Sequence, residues 1–205
     1  LRIYQMGLCT SNPFSSPVAI FSKDNCVTTM DSTDGVIADL ASSSVDLPNA
    51  SSRPASGRYT HAFIIIGPEI GLRGTFNLSD GSGGTISYYS TNDGGVSTSP
   101  PSTNHAETIN DFGDEEEGFS AVFGPENMPN GGQVSALLTD TDLVKVGSAS
   151  SVKRLVAVFE TNSGSPVVLT DSTNGLEVEL VVTDGGYSVE FDEDGVPENF
   201  GSAPF

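Results

Sequence analysis

The side chains best able to do chemistry in this chain are its many carboxylates, its two histidines and its two cysteines. The 205 residues include 27 Asp and Glu, 8 Lys and Arg and 2 His, which gives a formal net charge of −19. Nucleophilic catalysis needs a base beside the nucleophile, and only His61 and His105 could supply an imidazole. His61 falls in an apolar run and His105 in a Pro- and Ser-rich segment, so we expect one half-buried structural histidine and one solvated histidine. The sequence therefore predicts that the protein is not an enzyme.

Two acidic runs could instead hold a hard cation. Calcium takes several oxygen ligands from carboxylates and backbone carbonyls on loops. The runs at 114–117 and 192–194 offer such groups, and Asp114, Glu116, Asp192 and Asp194 are the candidate ligands. Neither run matches the twelve-residue calcium loop, and solvated acidic turns are the alternative interpretation. Calcium is the only cofactor that the sequence suggests.

The two cysteines, Cys9 and Cys26, predict a disulfide. Their spacing from the two distant histidines does not fit a zinc site. A single pair in an acidic, Lys-poor chain favours an exported protein with one disulfide, and two free buried thiols are the alternative. The chain begins at Leu1 rather than Met, which fits a removed leader peptide or a shortened chain. We therefore expect a secreted or cell-surface protein.

Two triplets have the form of N-glycosylation sequons, Asn49-Ala50-Ser51 and Asn77-Leu78-Ser79. Such triplets also arise by chance in a chain this rich in Ser and Asn.

The segment 59–76 organises the predicted fold. Its apolar run 62–66 indicates a strand buried on both faces, and the alternation of Ile70, Leu72 and Phe76 indicates a strand with one wet face. Short apolar segments separated by Gly- and Pro-rich turns recur along the whole chain. The sequence predicts an all-β protein, a β-sandwich or jelly roll of short antiparallel strands with essentially no helix.

We expect residues 1–205 to form a single β-sandwich domain. Residues 91–108 hold almost no large apolar side chain and predict a long exposed loop. Residues 192–205 predict an acidic tail rich in Gly and Pro. The segments 176–183 and 187–191, joined by Asp-Gly-Gly, predict a hairpin.

The N-terminal segment predicts a mode of self-assembly. Residues 1–9 alternate, with Tyr4, Met6 and Leu8 on one face, and Ile3 belongs to the same strand. Such a strand could complete the sheet of a neighbouring copy. An ordinary edge strand in its own sheet is the alternative. The predicted function is a structural, self-assembling subunit of an extracellular or cell-surface filament, pilus-like or a matrix fibre.

Copies of the chain itself are therefore the expected partners. The strongly negative charge excludes nucleic acid, and the lack of an apolar run of about 18 residues excludes membrane insertion by a helix. Two other functions stay open. One is a decoration or fibre protein of a virus particle, and the other is a secreted, calcium-dependent adhesion or glycan-binding module.

Overall fold

The computed structural model describes residues 1–15, 20–39, 46–48, 53–113, 118–128, 131–161, 165–178 and 188–202. Over these residues the fold is all-β and sandwich-like, with several antiparallel sheets. The described part of the chain has no α-helix, and its one helical element is the short 3-10 turn Ala149–Ser151. The predicted fold class is confirmed.

The described residues group into two compact units, and the single domain expected from the sequence stays a prediction. Unit 1 comprises Leu1–Pro68 and Ile109–Glu179, and unit 2 comprises Glu69–Thr108 and Leu180–Phe205. The strands of unit 1 are β1 (Arg2–Cys9), β2 (Cys26–Ile37), β3 (Gly57–Tyr59), β4 (His61–Ile66), β10 (Val122–Asn127), β11 (Gln133–Thr139), β12 (Arg154–Glu160) and β13 (Val167–Leu169). The strands of unit 2 are β5 (Glu69–Leu72), β6 (Thr75–Ser79), β7 (Thr85–Ser90), β8 (Val96–Ser97), β9 (His105–Thr108), β14 (Ser188–Phe191) and β15 (Pro197–Gly201).

Unit 1 is built on a six-stranded sheet in the order β10-β11-β12-β4-β1-β2. Its central strand β4 is buried on both faces, as its apolar run predicted. Ile64 and Ile66 pack into one hydrophobic cluster, and Phe63 and Ile65 pack into a second cluster on the opposite face. Successive side chains of a strand point to opposite faces, so this division shows that apolar layers cover both sides of the sheet.

Gly7 and Phe63 show how closely this sheet is packed. The two residues are opposite each other in the β1–β4 pair. A Cβ at Gly7 would lie 2.3 Å from Cε1 of Phe63 and 2.6 Å from the carbonyl oxygen of Val27. The Phe63 ring, 1% exposed, therefore occupies space that any other residue at position 7 would fill.

Unit 2 contains shorter sheets. β5 pairs with β9, β6 and β8 flank β7, and β14 pairs with β15. A bridge between Gly95 and Asn199, with a hydrogen bond of 2.7 Å from the Phe200 amide to the Gly94 carbonyl, connects the β7–β8 turn to β15.

Three expectations about the second half of the chain differ from the structure. The segment 91–108 contains β8 and β9, because short polar strands leave little apolar signal in a sequence. The expected tail at 192–205 contains β15, which pairs with β14; residues 203–205 lie outside the described part. Of the predicted hairpin, residues 176–178 form no strand and residues 188–191 pair with β15, whereas residues 179–187 lie outside the described part.

Candidate functional site

The β6–β7 hairpin of unit 2 has one apolar face. Phe76 is directly opposite Tyr88, and Leu78 is directly opposite Ile86. Directly opposed residues share a face, and the ring of Phe191 packs against Phe76 with ring centroids 5.9 Å apart at 78°. Ile86 is 39% exposed and Phe191 is 46% exposed. We call these five residues the apolar face of unit 2.

The other face of the same hairpin is rich in hydroxyl groups. It carries, in opposed pairs, Thr75 with Tyr89, Asn77 with Ser87 and Ser79 with Thr85. The Ser87 hydroxyl donates a hydrogen bond of 2.8 Å to Oδ1 of Asn77. We call these six residues the hydroxyl face. One hairpin therefore presents two chemically distinct surfaces.

An aspartate anchors the turn of this hairpin. Oδ1 of Asp80 accepts hydrogen bonds of 2.8 Å from the amides of Ser82 and Gly84, and the Asp80 amide donates to the Gly84 carbonyl at 3.1 Å. Gly83 has a φ of 91°, which suits a three-residue hairpin loop that ends in a left-handed residue.

The same loop recurs twice with an aspartate at the same place. Oδ1 of Asp140 accepts from the amides of Asp142 and Val144 at 2.9 and 3.0 Å. Oδ1 of Asp192 accepts from the amides two and four residues on at 3.0 and 2.8 Å. Leu143 and Gly195, each three residues after the aspartate, have positive φ, as Gly83 has in the first loop. Three aspartates of this acidic chain therefore hold turns together.

The predicted calcium ligands are not assembled into a site by the described residues. Asp192 uses one carboxylate oxygen for its turn, Asp194 lies in the same turn, and Asp114 and Glu116 fall outside the described residues. Within the described ranges no three His, Cys, Asp or Glu side chains are grouped so that they could hold a metal. Calcium binding stays a prediction. A melting temperature that EDTA lowers would support it, and an unchanged one would remove it.

Two other carboxylates are strongly hydrogen-bonded. Amide donors at Ser120 and Gly113, 2.9 and 2.8 Å from Oδ1, hold the pKa of Asp111 below its usual value. The Thr91 hydroxyl and the Gly95 amide do the same for the pKa of Asp93. In both cases the donors favour the charged form of the acid.

A buried serine organises the interior of unit 2. Ser90 is 1% exposed; its hydroxyl accepts from the Gly74 amide at 3.1 Å and donates to the Thr103 carbonyl at 2.9 Å. Near the end of the chain, the Glu107 carboxylate accepts from both the hydroxyl, at 2.7 Å, and the amide of Ser202. Polar contacts of this kind tie the short strands of unit 2 together.

The predicted disulfide is present. Cys9 and Cys26 are opposite each other in the β1–β2 pair, with their sulfur atoms 1.99 Å apart. A disulfide is typical of proteins outside the reducing cytoplasm. Within the described ranges, no helix has the length and apolar character needed to span a membrane.

The N-terminal strand is placed differently from the prediction. β1 lies inside its own sheet and pairs with β2 on one side and β4 on the other, so it is neither a free donor strand nor an edge strand. Ile3, Met6 and Leu8 are buried, and a register shift between Ile3 and Gln5 moves Tyr4 to the opposite face. There the Arg154 guanidinium lies 3.6 Å from the centre of the Tyr4 ring.

The two histidines lie in different units. His61 is half-buried on β4, with its Nδ1 2.9 Å from the Thr60 hydroxyl. Burial lowers its pKa, and the opposed carboxylate of Glu160 partly offsets this effect. His105 is partly buried on β9, where its ring lies against Gly94. The sequence correctly indicated a half-buried His61, whereas it predicted a loop at His105.

The apolar face of unit 2 was missed at the level of sequence. The opposition of Phe76 with Tyr88 was not inferred from the sequence. The available signal was the pair of alternating segments on either side of an Asp-x-x-Gly turn.

Comparisons with known proteins identify no relative. No family model matches the chain, and neither curated proteins nor solved structures gave a significant match.

Proposed function

We propose that the chain is a structural subunit that associates with further copies of itself in an extracellular or cell-surface filament. The observation that carries this proposal is the apolar face of unit 2, which exposes large side chains together on one side of a hairpin. A grouped, exposed apolar surface is characteristic of interaction sites, whereas single exposed apolar residues are ordinary.

The composition of that face suits a protein partner. Aromatic side chains are enriched in the buried centres of protein interfaces, and charged residues are depleted there. The face has three aromatic members, Phe76, Tyr88 and Phe191, and no charged member.

A second copy carries a formal charge of −19, so two copies repel each other at low ionic strength. Salt screens charges farther apart than about 10 Å at 0.1 M. An apolar contact between acidic copies is therefore expected to strengthen as salt is added.

The contact does not need the N-terminal strand to leave its sheet. An exchanged β1 would lose its pairing with both β2 and β4, and its disulfide partner Cys26 would then belong to a different chain. Exchange would thus give disulfide-linked chains in denaturing, non-reducing electrophoresis. We expect single chains instead.

The edges of the six-stranded sheet are also poorly suited to strand addition. On β2, Thr29 is an extra residue between the pairs formed by Thr28 and Met30. On β10, the register shifts at Gly124 and Pro125. Bulges and prolines at edges discourage pairing with another sheet, which favours association through a face.

The virus-particle alternative gains from the same observation. A decoration or fibre protein can associate through a sheet face without exchanging strands, and the interior position of β1 fits that mode of association. Electron microscopy separates the two functions, because filaments and discrete particles differ in shape.

The test compares association of the wild-type protein with that of three single variants, by sedimentation and electron microscopy at low and high salt. Phe191→Ser and Ile86→Ser remove apolar side chains from the face. Ile37→Ser is the matched control, because Ile37 is 70% exposed on β2 in unit 1. We expect salt-promoted assemblies for the wild type and for Ile37→Ser, and dispersed protein for the other two. Equal assembly by all four proteins, or none by the wild type, would contradict the proposal.

A further inference from the structure

We propose that Asn77 is an acceptor for an N-linked glycan. This inference goes beyond the proposed assembly and does not depend on it. The triplet Asn77-Leu78-Ser79 has the Asn-x-Ser form, with a residue other than Pro in the middle. The structure also shows where the triplet lies on the protein surface, which the sequence alone does not show.

The acceptor amide and the hydroxyl of the triplet lie on one exposed surface. Asn77 and Ser79 are both exposed residues of β6. Because alternate side chains of a strand share a face, these two lie on the hydroxyl face, and Leu78 between them lies on the apolar face. A glycan on Asn77 would extend from the hydroxyl face and leave the apolar face uncovered.

The hydrogen bonding at Asn77 is compatible with modification. Its Oδ1 accepts from the Ser87 hydroxyl at 2.8 Å. N-glycosylation substitutes a hydrogen on Nδ2 and leaves the carbonyl oxygen as an acceptor. The contact with Ser87 can therefore persist in the modified protein and hold the amide plane.

The neighbouring turn leaves room for a sugar. A Cβ built at Gly81 or at Gly83 would meet no heavy atom within 4 Å. The turn that follows the triplet is therefore open to solvent, and a large substituent on Asn77 meets no crowded backbone there.

The disulfide supplies the matching cellular context. Cys9–Cys26 indicates folding in an oxidising compartment, and N-glycosylation acts on secreted proteins. The reaction needs a polyprenyl-diphosphate-linked oligosaccharide and a transferase. Nδ2 forms a bond to the anomeric carbon, the bond from that carbon to the diphosphate oxygen breaks, and the amide proton passes to a base of the transferase.

Tryptic digestion can separate the two triplets. Cleavage after Lys23, Arg58, Arg73 and Lys145 puts Asn49 in the peptide 24–58 and Asn77 in the peptide 74–145, because Pro54 protects Arg53. A eukaryotic host secretes the full chain as the wild type and as three variants. The tryptic peptides are then analysed by mass spectrometry before and after treatment with a glycan-releasing amidase. That enzyme converts a glycosylated Asn to Asp.

We expect a glycan on peptide 74–145 of the wild type, and its complete loss in both Asn77→Gln and Ser79→Ala. Ser79→Ala keeps Asn77 itself, so it reports on the triplet even if Asn77→Gln fails to fold; Ser79→Thr preserves the triplet and should stay modified. An unmodified peptide 74–145, secreted by cells that glycosylate a co-expressed reporter, would overturn the proposal. Persistence of the modification in Asn77→Gln would overturn it as well.

Discussion

Units 1 and 2 are both antiparallel β structures, but different forces hold them. Unit 1 has apolar clusters on both faces of a six-stranded sheet and a disulfide across two of its strands. In unit 2, the described strands bury only three large apolar side chains, Leu72, Pro197 and Phe200. Ser90, Glu107 and the aspartate-anchored turns supply polar contacts instead.

The two units therefore differ in where their apolar side chains lie. Unit 1 buries apolar clusters in its own core, although some of its apolar side chains, such as Ile37, are exposed. In unit 2, polar contacts fix the geometry of the β6–β7 hairpin, and apolar side chains are exposed on one of its faces. The following variants test this division.

Replacing Phe63 should cause the largest loss. Phe63→Ala removes a buried ring from the centre of unit 1, and such truncations cost about 3–5 kcal/mol of unfolding free energy. Urea denaturation measures the loss. Phe191→Ala is the matched control in unit 2, where loss of the ring contact with Phe76 should cost about 1 kcal/mol. Equal costs would break the comparison, because unit 2 would then also depend on apolar packing.

Removing the disulfide should weaken unit 1 selectively. The Cys9→Ala/Cys26→Ala double variant releases a constraint on the unfolded chain worth about 3 kcal/mol for a loop of this size. Hydrogen exchange followed by mass spectrometry locates the effect. We expect faster exchange in β1 and β2 and unchanged exchange in β6 and β7. Faster exchange in unit 2 alone would contradict the claim that the disulfide stabilises unit 1.

Removing the buried hydroxyl of unit 2 should cost about 1–3 kcal/mol. Ser90→Ala leaves the Gly74 amide and the Thr103 carbonyl without this partner, and buried unsatisfied groups carry a penalty of that size. Exchange rates in β7 report the local effect.

Thr139 provides the contrasting control in unit 1. Its hydroxyl is buried without a hydrogen-bond partner among the described residues. Thr139→Val should therefore be neutral or slightly stabilising. If it destabilised the protein as much as Ser90→Ala, polar groups would matter equally in the two units.

The smallest expected effect is a change in pH dependence. The folded-state pKa of Asp111 is lowered by amide donors, so its contribution to stability is present above the unfolded pKa and is lost as pH falls through the folded pKa. Asp111→Asn keeps an acceptor oxygen but does not titrate. Melting temperatures from about pH 6 down to about pH 2 should fall less steeply for the variant. Parallel curves for the wild type and the variant would show that Asp111 does not contribute to the pH dependence of stability.

The sequence predicted the elements whose signal is local. The apolar run of β4 was long enough to indicate burial on both faces, and a single cysteine pair left only one disulfide to form. The fold class followed from the spacing of turns, as confirmed by the antiparallel sheets.

The sequence did not reveal which strands pair or in which register. Alternation shows which residues of one strand share a face, but it does not show that β4 lies between β1 and β12, or that β14 pairs with β15. The register shift that moves Tyr4 away from Met6 leaves no mark in a run of nine residues. The strands at 96–97 and 105–108 are too short and polar to stand out from a loop. The candidate surface was missed for the same reason, since it depends on the opposition of Phe76 with Tyr88.

Hydrogen exchange of the wild-type protein at low and high salt tests the central claim most directly. If copies associate through the apolar face of unit 2, high salt should slow exchange in β6, β7 and β14 and leave the six-stranded sheet of unit 1 unchanged. Slower exchange confined to β2 or β10 would instead indicate strand addition at an edge. That result, or no change in any strand, would contradict the account.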